Sequence, residues 1–498
     1  MNYSNKLKTT RSRQSSIEGR CFNEEMESDR GRAVNSAAVR RLQQKTQVFP
    51  LETNAAVRSR LTHSLEVQQV GRYISKLVIK ELSSRGLLEE LEIAGNVDGF
   101  VSAIEVACLL HDVGNPAFGH FGEEAINLWG KKTLTNIFNE KFSNEVDCNI
   151  LIKDLSSFEG NAQAIRLLHS LQSLNLTYTQ LACLIKYTRG AYEDKPIKTD
   201  MYAYRKKKPG FYFSEKNLFE DIKKELSISD GCRFPLTYIM EAADDISYCI
   251  ADVDDAIDKG ILTVEQLHIE IKKTWNNFKD DPDIKDEIVE NGYLLKIADR
   301  AYKKYQEEEH NKDHAYILTL RTTLVNELST YAAKRFIDNH ELVFNGELDE
   351  SLLDGHDEFN LATETFRSVA INNIFNSREI EDLELKGYAV ISGLLNIYTP
   401  LIELSFGEFK ELVSNNFLKS HPIETRLFHK LSGKHKGRYK EDVKGIYANE
   451  LPLNKDKMME LYARTRLLID YISGMTDQFA LEEFQNLSAI RCISSDLI

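Results

Sequence analysis

The chain has 498 residues and carries 77 acidic against 63 basic side chains, a net charge of −14. That length allows about three domains and a core that needs no disulfide staples, and the acidic balance disfavours a general nucleic-acid coat while permitting a local basic site. No apolar run approaches the ~20 residues that span a bilayer, no hydrophobic signal segment follows Met1-Asn2-Tyr3, and seven scattered cysteines without a CxxC pair read as reduced thiols, so the expectation is a soluble, cytoplasmic protein with no membrane partner.

Nine prolines in all, and long stretches of apolar residues at three- and four-residue spacing, predict an all-α fold. Residues 1–28 are polar, with Lys6, Lys8, Arg11 and Arg13 early on, and read as an N-terminal arm. Over 61–82 the pattern predicts an amphipathic helix with Leu61, Leu65, Val70, Ile74 and Leu77 on its buried face. Over 101–112 a mostly apolar, hence buried, helix ends at His111-Asp112, stopped by Gly114 and Pro116. Pro209-Gly210 lies between aromatic runs in the stretch 202–213 and suggests a small β-hairpin. The sharpest periodicity is at 236–258. There Leu236, Ile239, Met240, Ala243, Ile246, Ile250, Val253 and Ile257 share a face, and Gly260 supplies the break. A second stripe on this helix carries Glu241, Asp244, Tyr248 and Asp252. Residues 261–380 are highly charged and helical, hold no chemical motif, and read as a helical insertion. Residues 381–498 return to apolar helical patterns.

His63, His111, Asp112 and Asp244 are the candidate metal ligands. Two imidazoles and two carboxylates suit Mn²⁺, Fe²⁺ or Co²⁺, and Mg²⁺ is also compatible. An adjacent His-Asp pair at a helix end lets neighbouring side chains converge on one ion, and four protein ligands leave positions for water and a phosphate oxygen. A His-Asp dipeptide alone is common by chance. Asp244, however, sits beside an otherwise apolar face, where an unpaired carboxylate is costly. A metal or an arginine partner would compensate it.

The order His63, His111-Asp112, Asp244, all on helices, resembles the HD superfamily. Longer strings narrow the likeness. Ser28-Asp29-Arg30-Gly31-Arg32, the run from Arg40 to Pro50, and Arg58-Ser59-Arg60-Leu61-Thr62-His63-Ser64 resemble bacterial dGTP triphosphohydrolases. So do the run from His111 to His120, Phe158-Glu159-Gly160-Asn161-Ala162-Gln163, and Asp470-Tyr471-Ile472-Ser473-Gly474-Met475-Thr476-Asp477. The likeness covers both ends of the chain and weakens around 261–380 and the arm. It implies an HD-domain helical core over 29–260, and C-terminal helices over 381–498 that complete the site and make oligomer contacts. It also implies one divalent ion and hydrolysis of dGTP to deoxyguanosine and tripolyphosphate by water attack at the α-phosphorus. Asn115 and Glu159-Gly160-Asn161 stand where many HD enzymes carry further histidines, which disfavours a two-metal phosphodiesterase.

The 5′ oxygen is a poor leaving group, so a proton donor helps. His120, past the Gly-Asn-Pro turn, has an ordinary pKa suited to that task, and Glu123 at i+3 can orient it. Capping of the next helix is the competing role for His120; the resemblance matches both residues to the family's catalytic pair. Arg60, one turn before His63, can grip a phosphate oxygen. The resemblance assigns Lys186 and Tyr187 to the phosphates, Tyr248 and Asp252 to the deoxyribose, and Gln47 to the guanine edge, where an amide offers a donor and an acceptor.

Two segments are locally basic: Arg205-Lys206-Lys207-Lys208 within 202–213, and the stretch from Arg426 to Lys444. They can clamp triphosphate across a subunit boundary, bind single-stranded DNA, or be solvated faces. Triphosphate contact is favoured for Arg426. The resemblance implies a homohexamer and allows single-stranded DNA as a partner. A broader dNTP triphosphohydrolase with nucleotide activation and a DNA-binding regulatory protein are the rival readings.

Overall fold

The computed structural model describes residues 1–52, 54–281 and 284–490. The chain is all-α, with a single two-stranded sheet among the described residues. No single described helix is long and apolar enough to cross a membrane.

Three helices position the site. The first, Arg60–Ser84, starts where the Ser59 hydroxyl accepts the Thr62 N–H, satisfying an orphan donor of the first turn. Its buried face runs through His63, Val67, Val70, Ile74 and Val78. Leu65, expected on that face, is 50% exposed. It lies two residues, about 200° around the axis, from both His63 and Val67. The second helix, Val97–Leu110, is buried from Gly99 to its end, and His111 caps it. The third, Thr237–Asp258, runs close to the expected 236–258, and Gly260 follows with φ +73°. Gly71 is where the three meet. A Cβ there would stand 2.4 Å from Cys108 Sγ, 3.3 Å from Ile104 Cγ2 and 3.5 Å from the Ala243 Cβ. Only glycine lets the axes approach this closely.

The β structure corrects an expectation. Pro209–Phe211 does not fold back on its own neighbours as a hairpin; it pairs in parallel with Arg189–Gly190. Pro209-Gly210 serves a close approach instead of a turn, since a Cβ on Gly210 would lie 1.7 Å from the Tyr187 carbonyl oxygen.

Two apolar clusters make up the interior. One joins the N-terminal residues, the three helices and 164–380. The other joins 117–162 to 390–480. The first residues do not hang free: Tyr3 is buried, with its hydroxyl 3.0 Å from His340 Nε2, and Arg11 pairs with Glu25 and Asp29. In the stretch read as an insertion, Tyr316, Leu320, Leu324 and Leu328 of the Lys312–Asp338 helix belong to the first cluster. The far end of the chain is tied in by a buried carboxylate. Asp470 accepts from Gln163 Nε2 at 3.0 Å and from Arg166 Nε at 2.8 Å.

Candidate active site

A cleft of about 400 Å³ opens where the two clusters meet. His111 and Asp112 enter it from the turn after Val97–Leu110, Met240, Asp244 and Tyr248 from Thr237–Asp258, and Phe118, Gly119, His120 and Glu123 from the following turn and the Gly119–Trp129 helix.

At its floor His63, His111 and Asp244 each offer one ligand atom, all within 4.8 Å of one another. His63 Nε2 lies 3.5 Å and His111 Nε2 3.3 Å from Asp244 Oδ1. His111 Nδ1 is 2.7 Å from the Cys108 carbonyl oxygen. A carbonyl only accepts, so Nδ1 carries a proton and Nε2 is the atom turned to Asp244. Asp112 stands beside the group, with Oδ1 3.6 Å from His111 Nε2. Its oxygens are held by Asn115 Nδ2 at 2.6 Å and by the Arg60 guanidinium at 2.7 Å. Burial opposes charge on His111, Asp112 and Asp244. Even so, Asp112 and Asp244 lift the His111 imidazole to about 9, and the imidazolium of His111 in turn holds Asp244 well below the usual carboxylate range. A proton on His111 thus balances two buried carboxylates, which is the electrostatic task a cation would perform here.

His120 exposes 86% of its side chain, and its Nδ1 lies 3.1 Å from Glu123 Oε2. The other Glu123 oxygen accepts the Gly160 N–H at 2.9 Å, so the carboxylate is fixed before it meets the imidazole. Lys186 Nζ lies 3.6 Å from Glu241 and 3.8 Å from Asp244. Burial opposes its charge, but Tyr187, Glu241, Asp245 and Asp244 hold the ammonium above its ordinary range. Gln47, Arg60 and Tyr187 also line the cleft.

Two expected residues sit elsewhere. Asp252 is 1% exposed and lines a smaller cavity with Tyr248, Asp245 and Arg367. Tyr248 lines both spaces, and burial drives the Asp252 carboxyl well above the usual range. Arg426 is exposed, donates to the Pro422 carbonyl at 2.7 Å, and is not among the cleft's lining residues.

Sequence reasoning missed several lining residues. Lys208 reaches the cleft and bridges to Glu159 at 3.1 Å; the basic run it belongs to was the available signal. Asn161 and Glu159 lie in a string already singled out. Phe375 and Glu384 come from stretches with no chemical signature. Of the basic run, Arg205 is buried against Asp349 and the Gly346 carbonyl, so only part of it faces outward.

The HD domain family model matches residues 60–188, and the phosphohydrolase-associated domain model matches 419–486. The chain is 47% identical over 484 residues to the deoxyguanosinetriphosphate triphosphohydrolase of Serratia proteamaculans (strain 568), covering 93% of this chain and 94% of that protein. It is 46% identical over 486 residues to the protein of the same name from Yersinia pestis (strain Pestoides F), covering 93% of each.

Proposed function

This chain belongs to the deoxyguanosinetriphosphate triphosphohydrolases and hydrolyses dGTP, and from that premise we propose that it cuts at the α-phosphorus with the help of one divalent cation held by His63, His111, Asp112 and Asp244, releasing deoxyguanosine and tripolyphosphate. The observation that carries the reading is the convergence of three ligand atoms within 4.8 Å in the cleft that His120 and Glu123 also line. The donor set fits such an ion: imidazole nitrogens and carboxylate oxygens, with the proton of His111 already committed to a carbonyl. Bound there, Mn²⁺ or Mg²⁺ supplies Lewis-acid polarisation of the phosphate and acidification of a water; Fe²⁺ and Co²⁺ are compatible with the same donors.

The protein's own groups supply the rest. Lys186 faces carboxylates across 3.6 and 3.8 Å, loose pairings that a phosphate oxygen can take over. Lys208, at the Glu159 side of the cleft, adds a second ammonium, and Tyr187 lies beside them. Arg60 steadies Asp112 through one nitrogen and keeps the rest of its fork for a phosphate. His120 gives Nδ1–H to Glu123 and offers the proton on Nε2 to the departing 5′ oxygen. Tyr248 presents its ring to the deoxyribose from the cleft wall, and Asp252, in the smaller cavity that Tyr248 also lines, acts on the sugar through that ring. Gln47, whose Oε1 has no hydrogen-bond partner among the described residues, meets the guanine edge. Arg426 lies outside the cleft, so its phosphate contact is assigned to a neighbouring copy, as the homohexamer implied by the resemblance permits. Single-stranded DNA stays a secondary partner in this reading.

The test is product analysis after incubation with dGTP and Mn²⁺ or Mg²⁺ in ¹⁸O-labelled water. Deoxyguanosine without label, and tripolyphosphate carrying it, are expected. Release of dGMP and pyrophosphate, or dependence on no metal, would overturn the proposal. Running each dNTP alone and in mixtures distinguishes dGTP selectivity from a nucleotide-activated dNTPase.

A further inference from the structure

The last residue of the Asp470–Asp477 string takes no part in the chemistry above, yet it reaches two segments that do. Asp477 opens the Asp477–Leu487 helix and is 3% exposed. Its Oδ1 accepts the Phe118 N–H at 3.0 Å. Its Oδ2 accepts the Thr46 N–H at 3.0 Å and the Thr46 hydroxyl at 2.7 Å. Phe118 and Gly119 are both left-handed, with φ 61° and 55°, and His120 follows directly. For a side chain with a Cβ that backbone is disfavoured and persists only where its surroundings over-determine it. Those surroundings include the Asp477 bond and the packing of Phe118 against Gly387, where an added Cβ would stand 2.5 Å from the Phe118 Cβ. On the other side, Thr46 precedes Gln47 at the cleft wall.

The carboxylate is itself well supported. It lies in the first turn of its helix, where the exposed amide dipoles favour an anion. Lys45 is close enough to feel its charge, and donates to the carbonyl oxygens of Asn115 at 2.5 Å and Ser473 at 3.2 Å. The C-terminal string and the turn after His111 are therefore fastened to each other at two adjacent points.

We infer that Asp477 is a positioning residue: its carboxylate clamps the Phe118-Gly119 turn and so fixes where His120 stands in the cleft. The inference rests on the reading of His120 as proton donor. A tie that served stability alone would lower the unfolding midpoint without touching the step His120 performs.

A double-mutant cycle separates the two. Turnover, KM for dGTP, Mn²⁺ uptake by the resting protein and the unfolding midpoint are measured for Asp477→Ala, Asp477→Asn, His120→Ala and Asp477→Ala/His120→Ala. Asp477→Ala is expected to keep Mn²⁺ uptake and to lose about 10- to 100-fold in kcat, the penalty of a catalytic group displaced by about 1 Å. Asp477→Asn, which keeps one oxygen acceptor, should fall between wild type and Asp477→Ala, and it carries the comparison if the alanine variant does not fold. In the His120→Ala background the Asp477 substitution should cost nothing further in kcat. Wild-type kcat in the Asp477 variants, or the same fold-loss with and without His120, overturns the inference while leaving an impaired His120→Ala to support the proton-donor reading. Undiminished turnover in His120→Ala overturns both.

Discussion

Glu123 acts on His120 in two ways. Its hydrogen bond is the larger influence raising the imidazole pKa and its charge the smaller, while the cleft walls around the exposed ring, Lys208 and Arg60 pull the other way; the balance is a raised pKa. A donor with a raised pKa stays protonated to higher pH, so the alkaline fall in kcat belongs above the ordinary imidazole range. Glu123→Gln removes the charge and weakens the bond, lowers that pKa, and is expected to move the alkaline fall toward lower pH. Profiles of kcat against pH for the two proteins check this, and superimposable alkaline limbs would remove Glu123 from the role. The residue scale is also where the sequence was most and least legible. The proposed ligands His63, His111 and Asp112 stand out through their resemblance to the HD superfamily, and Asp244 also announces itself because a carboxylate is costly beside an apolar helix face without a partner. Glu384 does not. It sits in a helix with Glu379 and Glu381 and looks like any solvated carboxylate, and only the fold turns it to the cleft.

At the scale of elements, the spacing of three helix axes sets the spacing of the ligands they carry. Gly71→Ala places a Cβ 2.4 Å from Cys108 Sγ in a buried interface, and overpacking of this kind typically costs ~1–3 kcal/mol. Since His63 is two turns from Gly71 on the same helix, the variant is expected to lose stability and also to take up Mn²⁺ more weakly. Cys108→Ala added to it removes the colliding sulfur and should recover part of both losses. Denaturant melts and Mn²⁺ titrations of the single and double variants test this, and a fully stable Gly71→Ala would mean the axes are spaced elsewhere. Periodicity made these helices legible because burial of one face is a local property of the sequence. Strand pairing is not local. The Pro-Gly dipeptide suggested a turn, but its partner strand lies upstream, in parallel, and nothing in 202–213 names that partner. Leu65 shows a milder limit: leucine is equally at home at the edge of a helix, and the face was decided by His63, Ser64 and Gly71, which hydrophobicity alone does not rank.

For the whole molecule, composition drew lines at 261 and 381, while the interior follows others. Residues 261–380 share a core with the N-terminal half, and 117–162 pack with 390–480. The cleft sits on that seam, which is why its lining comes from so many stretches of chain. Arg426 is exposed and, among the described residues, hydrogen-bonds the Pro422 carbonyl of its own helix; on the proposed reading another copy brings it to a cleft that it does not line in its own chain. That yields a test by complementation. His120→Ala and Arg426→Ala proteins are each expected to turn over dGTP poorly, the first through kcat and the second mainly through KM. Mixed, dissociated and reassembled, they form some interfaces in which an intact His120 of one copy faces an intact Arg426 of the other, and activity should rise above the mean of the two. Activity that stays at that mean, with mixed oligomers verified by mass, would place the action of Arg426 within its own chain or outside the reaction.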